Sequence, residues 1–192
     1  MILNFIKNFI ISLIVVLIIF TPVNAFHESK LSCMYSKRCR NNVDLIKNIN
    51  NVKKQFPNHN YDNIENEFNE LINNLKRFRV KVFLADKKYF PKKIIGVYNT
   101  RNNNIYLNKK YMHNEVELIR TLRHESWHVA QDCKTGIRSR DLGMILHQKY
   151  TPELIDYERG AITASRNKGM AEAALESCYT NDDKYIVDYL QK

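Results

Sequence analysis

The chain has 192 residues, 44% of them hydrophobic, which is enough for one domain with a real core. Its formal net charge of +10 favours anionic surfaces such as cell-wall polymers and lipid head groups. The lysines and arginines are scattered and no basic block alternates with aromatics, which argues against a nucleic-acid module. The lack of any Cys-x-x-Cys argues against a thiol redox site or a four-cysteine zinc site.

The first 25 residues read "MILNFIKNFIISLIVVLIIFTPVNA". One cation, Lys7, precedes an apolar run over residues 9–20, and Val23 and Ala25 put small residues where a signal peptidase reads. The run is shorter than the roughly 20 residues of a membrane span. The expectation is a cleaved secretory signal over residues 1–25 and a single domain over residues 26–192, secreted or periplasmic, with no stable membrane insertion. Retention of the leader as an anchor is the alternative, and it exports the rest of the chain equally. All four cysteines lie beyond the leader, and an even number in an exported chain favours disulfides. Chain locality and helix position favour Cys33–Cys39 and Cys133–Cys178.

Residues 26–40 are polar and without periodicity. Val43, Ile46, Ile49 and Val52 recur at three-residue spacing and predict a helix over 42–55; Ile64, Phe68, Leu71, Ile72 and Leu75 predict another over 61–77. The pattern then changes to alternation. "RVKVFLA" over 79–85, "KIIGVYN" over 93–99 and "NIYLN" over 104–108 read as strands, the last two joined as a hairpin through residues 100–103. A long helix is expected over 114–133, with Asn114 as N-cap and Glu117 as its capping-box partner. Short helices are expected over 140–148, 151–166 (with Pro152 at its first position), 169–178 and 181–190. No internal repeat or linker divides the chain.

The long helix carries the chemistry. Leu118, Leu122, Val129 and Cys133 share one side of it, flanked by Ile119 and Ala130, and form its core stripe. His124 and His128 fall on the opposite side beside Thr121, facing solvent or a cleft roofed by another element. Side chains four apart on a helix are neighbours, so the two imidazoles can converge on one ion, and neutral imidazole is a good zinc ligand. Glu125 sits about 100° around from His124, able to reach a metal-bound water without crowding the metal. Incidental histidines on a surface helix are the competing reading. The capped start, the preceding hairpin and the acids downstream favour the metal site.

With His124-Glu125-Ser126-Trp127-His128 on a capped helix after a hairpin, the chain resembles the zincin metallopeptidases, small gluzincins in particular, over about residues 96–158. That resemblance implies an α+β fold, mostly helical, with a small antiparallel or mixed sheet packed on the HExxH helix. It also implies a third ligand: a Glu on a following helix, with small residues after it in a Glu-x-x-Ala pattern. Glu153, Glu158, Glu172 and Glu176 are the candidates. Glu158-Arg159-Gly160-Ala161 fits the pattern, and Gly160, Ala161 and Ala164 would allow close helix approach; Glu172 and Glu176 lack the alanine. The longer metzincin pattern is absent, with Gln131 and Lys134 where its Gly and third His would stand.

The implied activity is zinc-dependent hydrolysis of a peptide or protein substrate. His124, His128 and Glu158 hold Zn²⁺ and Glu125 acts as general base. His147, Tyr150 and Tyr157 are candidates for stabilising the oxyanion, strand 104–108 for pairing with an extended peptide, and Trp127 for packing beside the metal helix. The alternative is a non-enzymatic exported domain that binds through a zincin scaffold.

Overall fold

Alternating burial decides the sheet. In the computed structural model, which describes residues 42–135 and 152–180, strand β2 (Lys81–Ala85) buries Val82 and Leu84 and turns Lys81 and Phe83 to the other face. Strand β1 (Val43–Ile46) pairs antiparallel to β2. Strand β4 (Asn104–Asn108) pairs parallel to β2 on its other side, and β3 (Gly96–Asn99) pairs antiparallel to β4. The result is a mixed four-stranded sheet of order β1-β2-β4-β3. Strand β4 is therefore internal, with both edges paired. The expectation that it binds an extended peptide by main-chain pairing is wrong; the sheet edge beside the helices belongs to β3.

The helix expected over 42–55 is also corrected. Residues 43–46 form β1, and a helix, α1 (Ile49–Gln55), begins only after Lys47 and Asn48. Pairing with β2 overrides a three-residue spacing that either structure can carry over so short a stretch. The break is fixed by Asn51, whose Oδ1 accepts the N–H groups of Lys47 at 2.9 Å and Asn48 at 3.2 Å. After a short 3-10 turn comes α2 (Glu65–Arg77), which buries Phe68, Leu71, Ile72 and Leu75 as the periodicity requires. The hairpin between β3 and β4 is shaped by asparagines. Asn99 Oδ1 accepts the N–H groups of Arg101 and Asn102, and Asn103 takes the left-handed conformation at φ 55°.

Helix α3 (Glu115–Thr135) is the long helix. Asn114 Oδ1 accepts from the N–H groups of Val116 and Glu117 at 2.9 and 3.1 Å, so the N-cap is made. The capping box is not closed as expected, because the Asn114 N–H donates to the Tyr111 carbonyl. Leu118, Ile119, Leu122, Val129 and Ala130 are buried against the sheet and its neighbours, as the stripe demands. Cys133, assigned to the same stripe, is exposed; one turn from the helix end it has passed the edge of the core.

Two further helices flank α3: α4 (Pro152–Arg166) on the histidine side and α5 (Met170–Thr180) on the core side. Arg123 of α3 forms a two-pronged ion pair with buried Glu67 of α2 and also donates to the Ser165 carbonyl of α4. One side chain thus ties three helices. A disulfide joins Cys133 to Cys178, linking the end of α3 to α5 across 45 residues of sequence. Among the described residues no helix is long and apolar enough to cross a membrane. The expected signal segment, Cys33–Cys39, and the helices over 140–148 and 181–190 lie outside the described residues.

The bridge closes a long loop, so replacing Cys133 and Cys178 together by Ser should lower unfolding free energy by about 4 kcal/mol in the chain-entropy model. Urea denaturation of the two forms measures it. A loss below about 1 kcal/mol would mean that the loop is already restrained in the unfolded chain.

Candidate metal centre

The face of α3 opposite its core stripe is roofed by α4, and three side chains meet there. His124 and His128 approach each other with 3.1 Å between their Nε2 atoms. Glu158 of α4 reaches both: Oε2 lies 3.5 Å from His124 Nε2, and Oε1 lies 3.7 Å from His128 Nε2. One donor atom from each residue lies within 4.8 Å of the others, so the three could hold a metal ion. Two ligands about 2.0–2.1 Å from a tetrahedral ion are about 3.3 Å apart. The spacings found here bracket that value.

The helices approach closely because α4 presents almost no side chain at the contact. A β carbon at Gly160 would lie 2.6 Å from Trp127 Nε1, a distance that no real contact adopts. Ala161 and Ala164 are fully buried. Trp127 therefore packs against α4 beside the centre, and Gly160 is required by its ring.

The imidazoles are oriented from outside. His128 Nδ1 contacts Gln131 Oε1 at 2.7 Å, which holds the ring proton on Nδ1 and leaves the Nε2 lone pair facing the centre. The His124 ring is hydrogen-bonded to the Ala161 backbone. Burial lowers the pKa of both rings, that of His128 to about 3, with the His124 charge as the second cause. Burial thus favours the neutral form of both rings, the form that ligates. Burial pushes the Glu158 carboxyl up.

Glu125 lies apart from the donor triangle, as its offset on the helix requires. It is buried against β3, where the Tyr98 N–H donates to its Oε2 at 2.7 Å. Burial raises its pKa to about 8; the Tyr98 hydrogen bond opposes the shift and the Glu158 charge adds to it. Gly96 makes room for this carboxylate. A β carbon there would come within 2.4 Å of Thr121 Cγ2 and 2.8 Å of Glu125 Oε1. Gly96, the Tyr98 amide and Gln131 were not assigned roles from sequence. A glycine inside a strand is the one signal that was readable, since it often marks close approach by another group.

Two of the other acidic candidates face partners elsewhere. Glu176 pairs with Arg77 of α2, and Glu172 faces the Glu67–Arg123 pair. Neither approaches the histidines. The side chains of Glu153 and Tyr157, and all of His147 and Tyr150, lie outside the described residues. Comparison with known proteins finds no matching family model, no similar curated protein and no similar solved structure.

Glu172 supplies a test of this packing. Burial raises its pKa to about 7, and its Oε2 has no hydrogen-bond partner. A raised folded pKa means the protonated form is favoured on folding, so this contribution is complete below the unfolded value and is lost as pH rises through about 7. Glu172→Gln mimics the protonated acid. It should match the parent near pH 4 and be more stable, by on the order of 1–2 kcal/mol, near pH 8. Equal melting curves for the two forms at both pH values would mean that Glu172 is solvated.

Proposed function

We propose that the chain is an exported zinc-dependent peptidase of the gluzincin type. The observation that carries this reading is the convergence of His124, His128 and Glu158 from two helices, with Glu125 held separately beside the centre. Two nitrogens and a carboxylate are a donor set that suits zinc, and three protein ligands leave one position open. Held by His124, His128 and Glu158, a zinc ion would lower the pKa of a bound water toward about 7 and would polarise a carbonyl.

The chain's own residues do the rest. Glu125 has a raised proton affinity and lies within the same cleft as His124. It accepts a proton from the attacking water and returns it to the leaving amine nitrogen. Tyr98 fixes one carboxylate oxygen through its amide, which leaves Oε1 to handle the proton. Gln131 keeps His128 in the ligating tautomer. The apolar run within residues 1–25, read as a signal segment, and the Cys133–Cys178 disulfide support export to an oxidising compartment.

The reading separates holding from catalysing. Glu125→Gln should keep zinc stoichiometry near that of the parent and reduce peptide cleavage by at least about a hundredfold. His128→Ala and Glu158→Ala should lose both. Metal analysis and cleavage of a peptide mixture read the two properties independently. A Glu125→Gln chain that cleaves as fast as the parent removes the peptidase mechanism and leaves a binding domain on the same scaffold.

Export is checked separately. Chain recovered from an oxidising compartment should begin near Phe26 and titrate no free thiol. Two free thiols would leave one of the expected bridges unmade.

A further inference from the structure

A cleft borders the candidate centre at His124 and Glu125 and extends away from it between cationic side chains. It encloses about 390 Å³ between the N-terminal half of α3, the C-terminal half of α4 and the segment leading into β3. Helical spacing generates its walls. On α3, Glu117, Arg120, Thr121 and His124 follow one another at three- and four-residue steps, a single stripe leading away from the ligand. On α4, Ile162 and Arg166 continue the stripe that begins at Glu158. Lys93 closes the third side.

Three cations, Lys93, Arg120 and Arg166, thus line the cleft with two carboxylates, Glu117 and Glu125. Among the described residues none of Lys93, Arg120 and Arg166 is in an ion pair. Lys53, Arg77, Lys109 and Arg123 have carboxylate partners, whereas these three, like several other surface lysines, are open to an outside anion. Lys93 takes φ 71° as the third residue of the turn that the Ile94 N–H closes on the Pro91 carbonyl.

We propose that this arm of the cleft is a subsite for an acidic side chain of an extended peptide, with Arg120 and Arg166 as its recognition residues and Lys93 at its rim. The proposal rests on the peptidase reading and names its substrate class. An arginine offers a planar fork that matches a carboxylate, and because both arginines are exposed the pairing is sensitive to salt. Exposed Ile162 gives apolar contact for the rest of the peptide. The volume suits a few extended residues, within the range of about 300–1,000 Å³ common for small-ligand sites. Arg120 lies one turn before His124, about 6 Å along the helix axis. An extended peptide advances about 3.3 Å per residue, so the acidic residue falls about two positions from the bond at the centre.

Binding can be read without turnover. Short fluorescent peptides, identical except for Glu and Asp in one and Gln and Asn in its twin, are titrated into the zinc-loaded full chain carrying Glu125→Gln. The acidic peptide should bind about tenfold more tightly, and the gap should narrow as salt is raised. Adding Arg120→Gln and Arg166→Gln should close the gap while zinc content is kept. Charge reversal, Arg120→Glu with Arg166→Glu, should transfer preference to a Lys-containing twin. Equal affinity for the first two peptides, or a preference that survives loss of both arginines, overturns the subsite. Cleavage of both twins by the parent chain is followed in parallel. A chain that prefers the acidic peptide but cleaves neither keeps the subsite and loses the peptidase reading. A chain that cleaves both but binds them equally does the reverse.

Discussion

The centre depends on how closely α4 can approach α3. Two histidines on one helix supply two donors, and a third must come from a different element. Packed helices ordinarily lie about 8–10 Å apart, set by the side chains between them. Here Gly160, Ala161 and Ala164 reduce those side chains to a methyl group or less, and the Trp127 ring fills the space that Gly160 leaves. Glu158 precedes this contact by less than one turn, so its carboxylate height above the histidines is fixed by the same packing. A larger residue at 160 would push the helices apart, and the donor spacings of 3.1 to 3.7 Å would open beyond the reach of one ion.

That approach concentrates polar groups in a poorly hydrated place, which costs free energy unless they are matched. The directions of the pKa shifts record the cost: both imidazoles are driven toward neutrality and both carboxyls toward protonation. Neutral imidazoles with inward lone pairs and an inward carboxylate are a set that a cation satisfies as a whole. The scaffold around them is correspondingly strong. The Arg123 tie among three helices lies one residue before His124, and the disulfide lies five residues after His128, so α3 is anchored on both sides of its two histidines.

Much of this was legible in the sequence, for a local reason. The face of a helix that carries Leu118, Leu122 and Val129 must be buried, so the face that carries His124 and His128 is determined by the 3.6-residue period alone. The Asn114 cap and the small residues after Glu158 are likewise readable in a few adjacent letters. What was not legible depends on partners distant in sequence. Val43 and Ile46 fit a helix until β2 offers a strand to pair with. Strand β4 looks like an edge until residues 81–85 are known to lie beside it. Nothing near Glu125 says that the Tyr98 amide, 27 residues earlier, will meet it.

The position of β3 at the sheet edge carries the last consequence. An edge strand has outward amides with no strand to pair with, and exposed ones invite another chain. On β3 one of these amides, that of Tyr98, is spent on Glu125. Gly96, two residues back on the same side, is held bare by the same carboxylate and by Thr121. The edge is therefore not a free template along its length; it is partly occupied by the helix residue that the proposed chemistry requires. The remaining opening lies toward Lys93 and the start of β3, where the cleft continues. Under the proposed chemistry, a peptide entering along that edge would pass the cationic residues before reaching Glu125, so the contact that positions Glu125 would also limit the direction of approach.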